Sequence, residues 1–245
     1  MIRSVIFNLL FYVITALYVV IGCPLLFGPR SWAMAGLRAH ARSCSWLLKT
    51  VVGTKFEIRG KEHLPAGACI AASKHQSTWE TYAFIPMFRD PATIQKAELF
   101  LIPFHGWFSK KFGMIGVKRS TGPSALRHML KQAKDRINQG REIIIFPEGS
   151  RMPVGNKPDY KPGVVKLYED LDVPCVPVAL NSGVYWKRKS QMRYPGTIIV
   201  EFLPPIPPGM PRKEFKAKLQ EQIETATARL VEEAYTSNPA LPKHN

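Results

Sequence analysis

The chain has 245 residues, and its 34 Lys and Arg against 18 Asp and Glu give a formal net charge of +16. This length accommodates one substantial domain plus an attachment. The four cysteines show no paired or CxxC spacing, which argues against a disulfide framework and favours free thiols in a reducing compartment. No His/Cys cluster has zinc-ligand spacing, so we predict neither a metal nor a cofactor.

The first predicted element is an apolar segment. Residues 4–29 contain no charged side chain, and about 20 apolar residues suffice to cross a bilayer as a helix. A signal peptide is the alternative, because Arg3 precedes the run and Ala33-Met34-Ala35 resembles a cleavage site. Signal-peptide apolar regions are usually only about 7–15 residues long, which favours a retained segment. Polar and helix-breaking residues interrupt the run, so spanning and insertion into one leaflet both stay open.

Residues 31–53 mix Trp and Leu with Arg and Lys, a pattern typical of an amphipathic helix at the membrane interface. Residues 1–53 are therefore predicted to form a membrane anchor. The cations that follow the apolar run (Arg30, Arg38 and Arg42) outnumber Arg3 before it. The positive-inside rule then places the rest of the chain on the cytoplasmic side of the inner membrane.

Basic residues dominate further stretches of the chain. Residues 99–134 hold seven Lys or Arg and no acid, and no acid precedes Glu57. Polybasic surfaces beside an apolar anchor are drawn to anionic lipid headgroups, the predicted partners. A generic solvated surface is the alternative. Nucleic acid would also suit the charge, but the chain lacks nucleic-acid-binding motifs, so we predict no such partner.

Alternating strand and helix patterns from residue 54 predict one α/β domain with a single mixed sheet over residues 54–236, followed by a disordered tail at 237–245. We expect strands at residues 55–59, 68–72, 143–146, 173–180 and 198–203, and helices at residues 124–139 and around residues 215–230. The 173–180 strand contains prolines that limit its pairing, so it is either a core strand or an edge strand.

His75 and Glu80 follow the second of these strands and form a candidate base and carboxylate. Five residues on a regular helix place two side chains about 140° apart. If Ser77 is the N-cap, however, the chain entering the helix can bring His75 over Glu80. The alternative is a capping box, in which Glu80 only accepts a hydrogen bond from the backbone N–H of Ser77.

Two further segments end apolar strands with polar groups. Pro147 and Gly149 break the 143–146 strand and leave Glu148 and Arg151 at its exit, where binding groups are often positioned. The alternative is an ordinary charged turn. Residues 113–119 form a short apolar strand that ends in Lys118 and Arg119.

The order of these segments resembles the four sequence blocks of the glycerolipid acyltransferases. The blocks are His75-x4-Glu80, residues 113–119, Phe146-Pro147-Glu148-Gly149-Ser150-Arg151 and residues 173–178, and the similarity covers about residues 56–203. Within the family the chain is most similar to the bacterial members that acylate lysophosphatidate. The resemblance also favours a two-helix anchor in one leaflet.

The resemblance implies that His75 is the general base on the acceptor hydroxyl and that Glu80 orients it. It implies acceptor binding by the second and third blocks, at Lys118, Arg119, Glu148, Gly149, Ser150 and Arg151. The donor would be an acyl thioester of acyl carrier protein or coenzyme A, used as a co-substrate. Backbone N–H groups at the start of the Ser77 helix are candidate oxyanion donors.

Three positions depart from the family pattern. Glu80 stands where Asp is usual, Gly116 where a bulkier residue is usual, and Lys118 where an acid is often found. The last two leave another lyso-lipid acceptor open, such as a lyso-aminolipid. A thioesterase or lipid hydrolase that uses His75 to activate water is a second alternative. Gly-x-Ser-x-Gly is absent from the sequence, so the chain has no nucleophile-elbow signature.

Overall fold

The computed structural model describes residues 1–118 and 122–243. Its centre is a seven-stranded sheet in the order β1-β7-β6-β2-β5-β3-β4. The strands are β1 (Thr54–Arg59), β2 (Ile70–Ser73), β3 (Pro91–Lys96), β4 (Ile115–Val117), β5 (Glu142–Ile145), β6 (Cys175–Leu180) and β7 (Gly196–Phe202). The helices are α1 (Ile2–Gly22), α2 (Arg30–Leu47), α3 (Trp79–Ala83), α4 (His105–Phe112), α5 (Gly122–Asn138), α6 (Pro162–Leu171), α7 (Ser182–Tyr185) and α8 (Arg212–Ser237).

The predicted mixed α/β sheet is confirmed. Its neighbouring strands run parallel except for β6 and β7, which are antiparallel. The chain passes from β2 outward to β3 and β4, returns through β5, and then crosses to β6 on the other side of β2. In open α/β sheets, ligands bind beyond the carboxyl ends of the strands where the strand order reverses. The turns after β2 and β5 lie at such a point.

The strand with prolines is a core strand. β6 lies between β7 and β2, and all of its residues are buried. Pro177 disturbs the hydrogen bonding between β6 and β7 little, because the pairing of these strands begins only at Val178, opposite Phe202. The carbonyl of Pro177 still accepts a hydrogen bond from the N–H of Leu203 (2.9 Å). The missing proline N–H is therefore placed at the end of the ladder rather than in its middle.

The apolar N-terminal helix docks on the domain along one side. Residues Ile2–Leu26 form a helical stretch that is long and apolar enough to cross a membrane. Phe7 of α1 is fully buried and packs edge-on against Trp186, with ring centroids 5.3 Å apart. The Ser4 hydroxyl both donates to the carbonyl of Arg193 and accepts from its N–H (3.2 and 3.0 Å). The remaining faces of α1 expose large apolar side chains, consistent with membrane association.

The second helix of the anchor is also tied to the domain. α2 continues as a π-helical turn to Val52 and ends at Gly53, whose φ of +88° suits glycine. Arg30 donates to both oxygens of Asp90, with Nη1 2.9 Å from Oδ2, and to the carbonyl of Phe112. α2 therefore cannot move independently of the sheet without breaking these bonds.

The disordered tail predicted at residues 237–245 stays a prediction, because residues 244–245 lie outside the described residues. Past α8, the N–H of Leu241 donates to the carbonyl of Asn238, and the Leu241 side chain is only 4% exposed. Leu241 joins the cluster of buried residues that includes Ala234 of α8 and Phe7 of α1. Sequence composition alone does not reveal this contact of Leu241.

Candidate active site

His75 and Glu80 meet at the carboxyl end of β2. Nδ1 of His75 lies 3.0 Å from Oε1 of Glu80. The Glu80 side chain is fully buried, whereas the His75 side chain retains 12% exposure. The imidazole also stacks on the Phe146 ring, with centroids 4.0 Å apart and 20° between the planes. The ring is thus fixed in orientation and still has an edge that a substrate can reach.

The Glu80 carboxylate accepts hydrogen bonds from several neighbouring groups. Its Oε1 also accepts from the backbone N–H groups of Gln76 and Ser77, both at 2.6 Å. Its Oε2 accepts from the hydroxyl of Ser182, at 2.9 Å. The contacts of the capping box and of the His75–Glu80 pair therefore both occur. The same Glu80 carboxylate accepts from the backbone N–H groups before α3 and bonds to the imidazole. α3 begins at Trp79, one residue later than a Ser77 N-cap predicts, while the Ser77 hydroxyl still accepts from the N–H of Trp79 (3.1 Å).

These bonds assign the tautomer of the neutral imidazole. A carboxylate can only accept hydrogen bonds, so Nδ1 of His75 carries the hydrogen that points at Glu80. Nε2 is then the nitrogen that can take a proton from a substrate. The N–H groups of Gln76 and Ser77 already donate to Glu80. The oxyanion donors at the start of this helix stay a prediction, which now concerns its other N–H groups.

The turn after β5 holds the backbone of His75 from both sides. The N–H of His75 donates to Oε1 of Glu148 (2.6 Å), and its carbonyl accepts from the N–H of Met152 (2.8 Å). Nη1 of Arg151 donates to the hydroxyl of Thr78, the residue before α3. The structure therefore brings the first and third sequence blocks together.

The four predicted residues of this turn occupy different positions. Glu148 is fully buried and bonds to backbone, so it positions His75 rather than facing the opening. Gly149 and Ser150 are half-buried, and Gly149 has a φ of +73°, a conformation that favours glycine. Arg151 is half-buried, and its guanidinium group donates to Thr78, three residues after His75.

The described part of the second sequence block, residues 113–118, lies around the edge strand β4. Lys118 follows β4 and lines a separate cavity of about 560 Å³ together with Phe100, Gly116 and His128. β4 is three strands away from β2, which corresponds to about 14 Å at the usual strand spacing. Arg119 lies outside the described residues. The roles of Lys118 and Arg119 in acceptor binding stay predictions.

Sequence reasoning missed a buried ionic cluster beneath the site. Nζ of Lys74 lies 2.8 and 2.9 Å from the two oxygens of Glu224 and 3.4 Å from Oε2 of Glu148. Tyr160 donates to Oε1 of Glu224 (2.9 Å). Burial raises the pKa of Glu148 to about 7, while the charge of Lys74 opposes that rise. The weak signal for this cluster is Glu224, an acid beside Ile223 on the apolar side of α8.

The described residues also bear on metal and thiol chemistry. Within residues 1–118 and 122–243, no group of three or more His, Cys, Asp or Glu side chains is placed to hold a metal ion. All four cysteines are free, and the three buried ones are Cys44, Cys69 and Cys175.

The fold and the site together define an α/β protein that has an apolar N-terminal helix and a hydrogen-bonded imidazole–carboxylate pair at the carboxyl end of a central strand. Residues 55–181 match the family model described as Acyltransferase, and the chain therefore belongs to the acyltransferase family. The family resemblance seen in the sequence is confirmed.

Individual relatives agree with this assignment. A 1-acyl-sn-glycerol-3-phosphate acyltransferase of Pseudomonas aeruginosa is 38% identical over 159 residues, which cover 65% of this chain and 62% of that protein. The yeast Saccharomyces cerevisiae has a 1-acyl-sn-glycerol-3-phosphate acyltransferase that is 27% identical over 191 residues, covering 75% of this chain and 63% of the relative. The chain thus spans somewhat less than two thirds of the length of these relatives.

A solved structure confirms the fold. The crystal structure of the 1-acyl-sn-glycerophosphate (LPA) acyltransferase PlsC from Thermotoga maritima superposes with a TM-score of 0.78 at 21% sequence identity. The match covers 94% of this chain and 96% of that protein, so it extends over nearly the whole fold.

The hydrogen bonds of Glu80 lead to a prediction about its length. In the Glu80→Asp variant the carboxylate retracts by about 1.5 Å, and misplacement by about 1 Å can cost about 100-fold in rate. We therefore expect kcat for acyl transfer to fall about 10–100-fold, although Asp is the usual family residue. Steady-state kinetics at saturating substrate would measure this.

The matched comparison for that variant is Glu80→Gln, which keeps the reach of the side chain and removes its charge. An amide oxygen still accepts from the two backbone N–H groups but does not stabilise an imidazolium. The fall in kcat in Glu80→Gln should therefore be at least as large as in Glu80→Asp. If Glu80→Asp instead turns over at the wild-type rate with an unchanged thermal midpoint of unfolding, the length of the Glu80 side chain is not important for catalysis.

Proposed function

We propose that this chain transfers a fatty acyl group from an acyl thioester to the sn-2 hydroxyl of 1-acyl-glycerol-3-phosphate, giving phosphatidic acid for phospholipid synthesis. The observation that carries the proposal is the geometry of His75. Its Nδ1 is held by a buried carboxylate at 3.0 Å, its ring edge is accessible, and Arg151 lies in the adjoining turn. The names of the relatives, each a 1-acyl-sn-glycerol-3-phosphate acyltransferase, support the choice of acceptor.

The reaction needs one base and no covalent intermediate. Nε2 of His75 takes the proton of the sn-2 hydroxyl as the oxygen attacks the thioester carbonyl. Glu80 stabilises the positive charge that develops on the imidazole. The tetrahedral intermediate then expels the thiolate, which receives the proton from His75, so that an ester and a free thiol are formed. A thioester is activated enough for direct attack by a positioned alcohol.

Arg151 is the candidate ligand of the acceptor phosphate. A guanidinium group can donate two hydrogen bonds to one phosphate, which gives orientation as well as charge. In the structure this side chain donates to Thr78, at the start of the helix that carries Glu80. A phosphate held there would lie on the same side of the sheet as the imidazole.

The membrane supplies the acceptor and retains the product. We propose that the chain sits on the inner membrane with its α/β domain in the cytoplasm and its two helices in one leaflet. The docking of α1 on the domain through Phe7 and Ser4 supports insertion from one side, because that face of the helix is not available to lipid. Arg30 and Arg38 hydrogen-bond to the carbonyls of Phe112 and Arg89, so these cations lie on the side of the domain, as the positive-inside rule requires of the cytoplasmic face.

Product identification tests the reaction. Purified protein in vesicles would be supplied with lysophosphatidate, lysophosphatidylethanolamine or a lyso-aminolipid, each with acyl carrier protein or coenzyme A thioesters. We expect phosphatidic acid from lysophosphatidate, identified by mass. Free fatty acid formed at the same rate without any acceptor would instead indicate a thioesterase, and acylation of only the other lipids would indicate a different acceptor.

A second measurement tests the role of Arg151. We expect Arg151→Gln to raise KM for lysophosphatidate about 10–100-fold with a small change in kcat, because one charged hydrogen-bonding group is worth about 1.5–3 kcal/mol. Arg151→Lys should recover only part of the loss, since it restores charge without the planar fork. Lys187→Gln, at an exposed cation of the loop after α7, is the matched control for general surface charge. Equal effects at the two positions would contradict a specific phosphate site.

A further inference from the structure

Residues 101–107 consist of the turn before α4 and the first three residues of that helix, and they form an exposed apolar surface outside the predicted anchor, called here the 101–107 loop. The side chains of Leu101, Ile102, Phe104 and Trp107 are between 40% and 83% exposed. Soluble proteins rarely concentrate large apolar side chains in this way unless the surface binds something.

The backbone of this loop is fixed in a strained conformation. The N–H of His105 donates to the carbonyl of Pro103 (2.6 Å), which makes Phe104 the centre of a γ-turn with a φ of +60°. That conformation is rare for a residue with a Cβ atom, and such strain clusters at functional surfaces. Gly106 is required beside it, because a Cβ atom there would lie 2.0 Å from the carbonyl oxygen of Phe100. The structure therefore maintains the apolar tip at a cost in backbone strain.

The loop is continuous with the anchor. Phe100 before it and Phe108 after it pack in one cluster with Leu25 and Leu37, which belong to the turn after α1 and to α2. Nζ of Lys111 donates to the carbonyl of Gly28 in that turn. Next to these contacts, Phe27 and Trp32 are themselves 92% and 61% exposed. The exposed apolar surface thus extends from the anchor helices onto the loop.

Charge favours a lipid occupant over a second copy of the chain. Lys110 and Lys111 follow the apolar tip directly, and residues 99–134 contain no acid. Two copies that met through this face would bring these cations together, whereas an anionic leaflet attracts them. Aromatic side chains with nearby cations are also typical of segments that lie at a membrane interface.

We propose that the 101–107 loop inserts into the headgroup and upper acyl region of the membrane as a third contact beside α1 and α2. This inference rests on the membrane association in the proposed function and extends it. Because α1 and α2 are docked on the domain, they leave the molecule as a whole free to roll about their direction in the leaflet, and a contact on a separate segment removes that freedom. The loop would then set the angle at which the sheet edge with His75 faces the lipid acceptor.

Lipid-depth quenching tests the loop without using enzymatic activity. In the full chain with Cys23→Ser, a fluorescent thiol label is placed by Leu17→Cys on α1, Leu101→Cys on the loop, or Phe56→Cys on β1. Phe56 is the matched control, because it is 44% exposed and lies on the sheet. Vesicles contain phosphatidylglycerol and a phosphatidylcholine with a nitroxide near the top of its acyl chain. We expect quenching by more than about half at positions 17 and 101 and by less than about a tenth at position 56.

The outcomes separate the loop from the anchor. Quenching at position 17 but not at 101 would overturn the loop contact and leave the membrane association standing. No quenching at either position would contradict the membrane association itself, and the loop contact with it. A label at 101 shielded from both the lipid nitroxide and aqueous iodide would show a protein partner, and would also overturn the proposal.

Discussion

Replacing His75 by alanine is expected to lower the rate of acyl transfer about 10³–10⁴-fold while the protein stays folded and bound to membranes. The imidazole is the group that both accepts the hydroxyl proton and returns it to the leaving thiolate, so its loss affects attack and collapse alike. The folded state should change little. The His75 backbone is held by Glu148 and Met152 through bonds that the substitution leaves in place. Single-turnover rates with vesicle-bound lysophosphatidate would measure the loss.

Two companion variants sharpen this experiment. His63→Ala removes an imidazole in the turn after β1 that bonds to the carbonyl of Phe202, and should retain transfer within about twofold. The double variant His75→Ala, Glu80→Gln should be no slower than His75→Ala, because residues that act as one unit lose their contributions together. Appreciable turnover in His75→Ala would defeat the mechanism, and additive losses in the double variant would show that Glu80 acts independently of His75.

The part of the site that sequence could predict is its local part. His75 and Glu80 are five residues apart, and the chain that enters α3 has few ways to satisfy its first N–H groups, so the spacing already suggests their contact. The same holds for the turn after β5, where Pro147 and Gly149 end a buried strand. The strand order was not needed for either prediction.

The remaining features depend on contacts between distant segments. Ser182 reaches Glu80 across 102 positions in sequence, and Lys74 reaches Glu224 across 150. No local pattern identifies such partners, since they depend on how β6 pairs with β2 and how α8 packs on β6. The exposed apolar surface at residues 101–107 could not be predicted for a different reason. Its apolar residues look like core residues until the structure shows which of them face outward.

Replacing Lys74 by methionine is expected to destabilise the protein by about 3–5 kcal/mol, because it leaves buried carboxylates without their cation. Lys74 is 1% exposed, and its partners Glu148 and Glu224 are 0% and 9% exposed. One cation serves two carboxylates in this cluster, which is consistent with the rise in the pKa of Glu148 to about 7. The urea midpoint of membrane-free or detergent-solubilised protein would measure the change.

The dependence on pH follows from the same contacts. A buried carboxyl whose pKa is raised binds its proton more tightly in the folded state, so its contribution to stability falls as the pH rises above the unfolded pKa of about 4.3. The loss in Lys74→Met should therefore be smallest near pH 5 and grow towards pH 8, as Glu148 is forced to ionise without its cation. Uniform destabilisation across that range would show that packing, not charge, is what Lys74 provides.

A second substitution should reverse part of this loss. In Lys74→Met, Glu224→Gln, one carboxyl becomes neutral and can still accept from the hydroxyl of Tyr160, so we expect the double variant to be more stable than Lys74→Met alone. Lys216→Met is the matched control. Lys216 lies on α8, as Glu224 does, but it pairs with the exposed Asp159, so the loss of this ion pair should leave the urea midpoint unchanged. Lys74 precedes His75 directly, so the loosened cluster should also lower transfer activity at temperatures well below the midpoint of unfolding. A double variant no more stable than Lys74→Met would contradict the pairing of Lys74 with Glu224 as the source of the effect.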